Sequence, residues 1–326
     1  MKQRYVVLIA CPKFVLLDLA GPCDVFWMAN RVWNKLHPSD TAPYSIKVLS
    51  TTQDLQVRAA SGLTLAADAL IGDWSGEIDT LLVPGGIDLH DVVRDAAVLK
   101  WLQSAAARSR RVGSVCTGAF ILAAAGLLEG RTATTHWEEC KELAAQYPGV
   151  RIAPDRIYVR DGNIYTSAGV TAGMDLALAL VEEDLGQNVS LKVAQELVMF
   201  VRRPGGQSQF STLLEAQAAN RQPIRDLAMW MGEHPAGDLS VETMAARVHM
   251  STRNFSRTFR RELGKTPARF VEALRVEAAR RMLEETDARM DHIARECGLG
   301  SGNSMLRSFL RVLGLPPSQY RERVRA

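Results

Sequence analysis

Residues 111–126 read RVGSVCTGAFILAAAG and set one cysteine where an apolar run ends and a helical pattern begins. A side chain at such a corner stands at a helix N-terminus, where backbone N–H groups and the helix dipole favour a thiolate. Cys116 therefore has the form of a nucleophile elbow. The same position also suits a ligand contact or a small buried side chain. In an open α/β sheet the carboxyl ends of neighbouring strands surround one crevice, which would bring Pro84-Gly85-Gly86 close to Cys116. Backbone N–H groups at Gly85 and Gly86 could bind an oxyanion or carboxylate, or the pair could simply make a turn. Asp18, in LLDLAGPCDVF, follows the first apolar run and either reaches the same crevice or caps the helix after it. His136, in TTHW, either faces the pocket or is a satisfied structural histidine. Cys11, Cys23, Cys116, Cys140 and Cys297 show no CxxC or Cys/His spacing, so neither a metal site nor a cofactor is expected and the thiols read as reduced.

The elements that must position these residues are legible as alternation. YVVLIA, YSIKVLS, DTLLVPGG and RRVGSVCTG are short β-rich runs bounded by Gly, Pro or Asp. Between them lie helical stretches near 18–33, 94–108 and 117–127, a pattern that predicts a parallel sheet with helices on both faces. RIYVRDGNIYTSAG adds a hairpin closed on Asp161-Gly162-Asn163, and TAGMDLALALVEEDLG and one more helix follow. RRPGGQSQFS, residues 202–211, breaks the pattern at Pro204, Gly205 and Gly206. The expected organisation is one domain over 1–203, a linker over 204–223 and a second domain over 224–326.

With 47% apolar and 23% charged residues the chain has the composition of a globular protein rather than a disordered or fibrous one. Its N-terminus lacks a signal-peptide pattern, and its longest nearly apolar run, GAFILAAAGLL, is too short to span a membrane. A cytoplasmic protein without a membrane partner is expected. The net charge of +3 hides an asymmetry: Arg221–Ala326 holds 19 Lys/Arg against 13 Asp/Glu, which leaves 20 against 23 in residues 1–220. Nearly all of the C-terminal surplus is arginine, whose planar fork suits phosphate and guanine, although a solvated basic surface would give the same count.

That C-terminal part also repeats. Arg257, Phe259, Arg261, Leu263, Gly264 and Pro267 recur fifty positions later as Arg307, Phe309, Arg311, Leu313, Gly314 and Pro317. Each copy pairs a short helix, VETMAARV or MDHIARECG, with a tight turn and a longer helix, and PARFVEALRVEAARRMLEET connects the copies. Short helix, turn and arginine-bearing helix is the pattern of helix-turn-helix DNA readers. Ser251 can cap the first long helix, with Phe255, Phe259 and Leu263 on its buried face. Arg253, Asn254 and Arg257 are then placed to read bases, and Arg261 to meet phosphate or solvent. The second copy offers Ser301, Asn303, Ser304 and Arg307.

MAARVHMSTRNFSRTFRRELGKTP and IARECGLGSGNSMLRSFLRVLGLPPSQYRER resemble the DNA-binding domain of AraC-type transcriptional regulators over roughly residues 224–324. Leu299, Met305 and Leu313 stand where that family has aromatic residues, which should alter core packing without abolishing it. The first 190 or so residues resemble the PfpI-like superfamily, a flavodoxin-like sandwich related to class I glutamine amidotransferases. LLDLAGP, VPGG, SVCTGAF, ATTHW and TSAGVTAGMDLAL are similar to isocyanide hydratase in particular. That resemblance implies Cys116 as nucleophile, Asp18 as its acidic partner and Thr117 at an oxyanion site. Protease-like members carry a histidine directly after the cysteine, where this chain has Thr117, and no amidotransferase-type His and Glu pair follows. Together the two halves resemble the GlxA-type regulators. The resemblance implies a homodimeric, sequence-specific activator working with RNA polymerase, which senses a small nitrogen-containing metabolite through Asp18, Gly85, Gly86, Cys116, Thr117 and His136. The alternative is a cysteine-dependent hydratase or hydrolase using Cys116 and Asp18.

Overall fold

The computed structural model describes residues 2–199 and 221–325. Most of the expected linker over 204–223 and all of the RRPGGQSQFS break lie outside the described residues. The chain divides into two compact units, Met1–Pro204 and Gly205–Ala326.

In the first unit seven strands form a sheet in the order β10-β11-β7-β6-β1-β2-β5. These are β1 (Arg4–Ala10), β2 (Tyr44–Ser50), β5 (Ala69–Leu70), β6 (Thr80–Val83), β7 (Arg111–Val115), β10 (Tyr158–Asp161) and β11 (Ile164–Ser167). Every pairing is parallel except the β10–β11 hairpin, whose Gly162 takes the positive φ that its tight turn requires. The central strands β6 and β7 are buried along their whole length, as parallel strands covered on both faces must be. Helix α1 (Leu16–Leu36) joins β1 to β2, whereas α2 (Ala96–Arg108) joins β6 to β7 in the opposite direction across the sheet. Right-handed crossovers therefore carry α1 and α2 to opposite faces, and the order reverses between β1 and β6. This is the flavodoxin-like sandwich, and the crevice at the carboxyl ends of β1, β6 and β7 is where its ligands belong. Short pairs β3 (Gln56–Arg58) with β4 (Thr64–Ala66) and β8 (Thr132–Ala133) with β9 (Arg151–Ile152) flank the sheet.

At the other end of the strands a buried ionic clamp holds the sheet to α5 (Ala172–Leu185). Asp184 accepts from Arg111 Nη2 at 2.6 Å, Arg110 Nη2 at 2.8 Å and the Tyr44 hydroxyl at 3.0 Å. Asp184 and Arg111 are almost wholly inaccessible to solvent, and Arg111 Nε also donates to Thr80 Oγ1. These charges are mutually paired and hydrogen-bonded, the condition under which burial of charge is tolerated. Helix α3 (Gly118–Ala124) and helices α4 (Cys140–Gln146) and α6 (Gln187–Glu196) complete the unit.

The second unit is entirely helical among the described residues: α7 (Gln222–Glu233), α8 (Val241–Arg247), α9 (Thr252–Leu263), α10 (Pro267–Glu285), α11 (Met290–Glu296), α12 (Gly302–Leu313) and α13 (Pro317–Arg325). The internal repeat is repeated in the structure. Ser251 and Ser301 cap α9 and α12, each accepting the N–H three residues on. Gly264 and Gly314 end the same helices in the left-handed conformation, and Pro267 and Pro317 start the next. One apolar core gathers Phe255, Phe259 and Leu263 on Phe270, Val271 and Leu274. A second gathers Met305 and Phe309 on Val276, Ala279 and Leu283. Helix α10 thus serves two cores, one along each half. Of the three residues that replace family aromatics, Met305 is fully buried, while Leu299 and Leu313 pack at the edge of the second core.

Candidate functional site

Cys116 follows β7 directly with a φ of 55°, a strained left-handed conformation for a residue with a Cβ. The strain is held from both sides. Its N–H donates to the Ser167 and Ala168 carbonyls at 3.1 Å each, and its carbonyl accepts from the Thr135 hydroxyl at 2.8 Å. Helix α3 begins immediately after, as the elbow pattern requires, and Gly118 permits it. A Cβ on Gly118 would stand 2.3 Å from the Val83 carbonyl oxygen.

Asp18, in the first turn of α1, is buried and does not cap that helix. Its carboxylate accepts from the Gly85 N–H at 3.0 Å and lies beside Cys116. Gly85 is tightly enclosed here, since a Cβ would fall within 2.8 Å of Asp18, Thr117 and Cys116 at once. Val170, at a strained φ of 50°, turns its N–H toward the same carboxylate. Burial raises the Asp18 carboxyl to about 6, against the lowering effect of the Gly85 and Val170 N–H groups and the Cys116 thiol.

Two expectations are corrected. The thiolate does not prevail at Cys116: burial first, and the neighbouring Asp18 second, push its thiol up to about 12 despite the Thr117 N–H. Helix polarity is worth less than desolvation at this depth. Nor are the Gly85 and Gly86 amides open to an oxyanion. Gly85 N–H is engaged by Asp18, and Gly86 N–H donates to Thr117 Oγ1 at 2.9 Å. The Thr117 hydroxyl in turn donates to the Gly86 carbonyl at 3.0 Å, so the side chain is closed on this loop.

Above Cys116 lies a cleft of about 380 Å³. Gly86, Cys116, Thr117 and His136 line it, whereas Asp18 and Gly85 do not. The sequence reading missed the rest of the wall. Glu139 and Glu142 enter from α4 and the turn before it, Asp88 and His90 from the loop after β6, and Phe120 and Val170 add apolar surface. Among the described residues neither Lys nor Arg lines the cleft. His136 is part-buried, with Nδ1 3.7 Å from Glu138 and its ring against Trp137. A second, larger hollow of about 600 Å³ beside the β3–β4 hairpin carries Lys13 and Arg58 but none of the expected site residues. Among the described residues no cluster of His, Cys, Asp or Glu could hold a metal ion.

On α9 the side chains of Arg253, Arg257 and Arg261 are exposed on the faces away from Phe255 and Phe259, as the spacing predicted. Arg257 Nη2 reaches back to Asn254 Oδ1 at 3.3 Å, and Arg307 Nη2 to Ser304 Oγ at 3.2 Å, the same contact in each copy. Arg261 pairs with Glu262 at 3.0 Å. On α12, Asn303 and Arg307 are exposed, whereas the Ser301 hydroxyl is engaged in capping.

Comparison with known proteins agrees with this division. Residues 3–183 match the DJ-1/PfpI family, and residues 244–323 a helix-turn-helix domain. The chain belongs to the DJ-1/PfpI family. The transcriptional regulator CdhR of Pseudomonas aeruginosa is 30% identical over 321 residues, covering 98% of this chain and 92% of that protein. Isonitrile hydratase of Pseudomonas putida is 37% identical over 186 residues, 57% of this chain and 74% of the enzyme. The crystal structure of a ThiJ/PfpI family protein from Pseudomonas syringae superposes with a TM-score of 0.54 at 29% identity, covering 63% of this chain and 78% of that one. A DJ-1/PfpI domain followed by an AraC-type helix-turn-helix block is the expected GlxA-type architecture, and the protein is a DNA-binding transcriptional regulator. No helix among the described residues is long and apolar enough to cross a membrane.

Proposed function

We propose that the cleft over Cys116 binds a small nitrogen-containing metabolite without turning it over, and that this binding controls transcription. The observation that carries the reading is the electrostatics of the cleft: Glu139 and Glu142 line it, its third carboxylate, Asp88, is matched by Lys13 at 2.8 Å, no Lys or Arg among the described residues lines it, and the Cys116 thiol is held protonated. Such a wall favours a cationic or hydrogen-bond-donating nitrogen. A nucleophilic mechanism needs a thiolate and free oxyanion donors; the buried, raised thiol argues against the first and the closed Gly85, Gly86 and Thr117 contacts against the second. The hydratase reading keeps the Cys116–Asp18 proximity as its support. On the DNA side, Arg253, Asn254 and Arg257 read bases from α9 and Arg261 steadies the backbone; Asn303, Ser304 and Arg307 act from α12, with Ser301 fixing its start. The regulator works in the cytoplasm as a homodimeric activator in contact with RNA polymerase.

The test is a thermal-shift screen of the full chain against amines, betaines and amino acids, beside Cys116→Ser. A ligand well above its dissociation constant raises the melting temperature by binding the folded state selectively. Equal, lasting stabilisation of both proteins with the compound recovered intact is the expected result. A wild-type shift that decays as the compound is consumed, and persists in Cys116→Ser, would establish the hydratase reading instead.

A further inference from the structure

The likeness of the two helix-turn-helix units fails along one stripe. On α9 the positions that follow one another at helical spacing away from the core hold Arg253, Ser256, Arg257 and Arg260. The equivalent positions of α12, fifty residues on, hold Asn303, Leu306, Arg307 and Leu310. Met305, Ser308 and Phe309 are buried in the second core, so the stripe faces the other way. Leu306 is 36% exposed and Leu310 47%, with Arg307 exposed beside them and Arg311 held by Glu272 at 2.9 Å. Two exposed leucines beside the exposed Arg307 fit an occupant that carries negative charge at an edge and apolar surface at its centre. A DNA major groove offers that combination: phosphates on the rims, and the C5-methyl of thymine on the floor.

We infer that Leu306, with Leu310 behind it, packs on thymine C5-methyl groups, so that α12 reads thymine by apolar contact where α9 reads with hydrogen-bonding arginines. The inference rests on the proposal that the outward stripe of α12 enters the major groove. Leu306 stands beside Arg307 and one turn beyond Asn303, within the N-terminal half that a recognition helix presents to bases. A leucine leaves the polar edges of G, A and C unsatisfied, so thymine is the base it penalises least.

The experiment uses full-length protein and duplexes enriched by wild type from a randomised pool. In the half protected by α12 each thymine is replaced in turn by deoxyuridine, which removes only the methyl group. Wild type is expected to lose about threefold to fivefold in affinity at one or two positions, the worth of one buried methyl. Leu306→Ser, which restores the residue of the first copy, should bind the two duplexes alike, whereas Arg307→Ala should bind more weakly yet keep the deoxyuridine effect. Wild type indifferent to deoxyuridine while Arg307→Ala still weakens binding would overturn the methyl contact and leave the groove placement standing. If neither Arg307→Ala nor Leu306→Ser changed DNA binding, the groove placement itself would fail. Loss of transcription in Leu306→Ser with DNA binding and deoxyuridine response intact would assign the leucines to a protein partner and reject the inference.

Discussion

At Cys116 and Asp18 two acidic protons share one desolvated corner, and each can be followed separately. With the thiol raised to about 12, Cys116 should react with iodoacetamide at pH 7.5 at least about a hundredfold more slowly than free cysteine. Fast alkylation at neutral pH, read by peptide mass spectrometry, would contradict this. The Asp18 carboxyl is raised from 3.8 to about 6, so the fold prefers it protonated. Its contribution to stability is therefore complete below about pH 3.8 and lost as pH rises through about 6. A displacement of this size corresponds to roughly 3 kcal/mol. Asp18→Asn should accordingly melt several degrees higher than wild type at pH 7.5, with the gain shrinking toward zero at pH 4. On α9, Arg253→Ala and Arg257→Ala should each relax base preference at a cost of about 1–3 kcal/mol on the preferred site. Arg261→Ala should weaken all sequences alike, and equal losses on specific and random duplexes for all three would reject the assignment. The residue types at these places were legible in the sequence, but their partners were not. Nothing in the string VPGG tells that both amides are already engaged, because that depends on Asp18 and Thr117 arriving from elements 67 and 31 residues away.

Strands, helices and caps announced themselves wherever a period or a punctuating residue marked them. The apolar runs of β1, β6 and β7, the Gly162 hairpin and the serine-to-glycine frames of α9 and α12 all did so. Pairs of two or three residues such as β8–β9 carry no period and went unread. The clamp at Asp184 was equally invisible, since Arg110, Arg111 and Asp184 look like surface charges until the fold buries them. Asp184→Ala takes the 2.6 Å partner from the buried Arg111 guanidinium and leaves it only the Glu183 carboxylate at 3.6 Å, which should cost about 3 kcal/mol, seen as a lower midpoint in chemical unfolding of the first unit. Ser251→Ala removes one cap and should cost about 1 kcal/mol, speeding hydrogen exchange at the start of α9 about fivefold.

At the scale of the molecule, the charge asymmetry belongs to function. The surplus of 19 Lys/Arg over 13 Asp/Glu lies in Arg221–Ala326, the part that carries both DNA readers. Affinity for duplex DNA should fall linearly on logarithmic axes as salt rises, with a slope reporting the phosphates neutralised. A flat response would mean that the basic face does not meet DNA. The arrangement of that face also makes a mechanical demand. One continuous helix of 19 residues, α10, holds both cores that carry α9 and α12. Because α10 is common to both cores, it holds α9 and α12 at one fixed spacing, while successive turns of a major groove lie roughly 34 Å apart. The protein is a stiff gauge, so any mismatch with straight DNA must be taken up by the duplex. Base pairs that no side chain touches then acquire a vote: pliant TA or CA steps between the two half-sites should tighten binding, and a rigid A-tract there should loosen it.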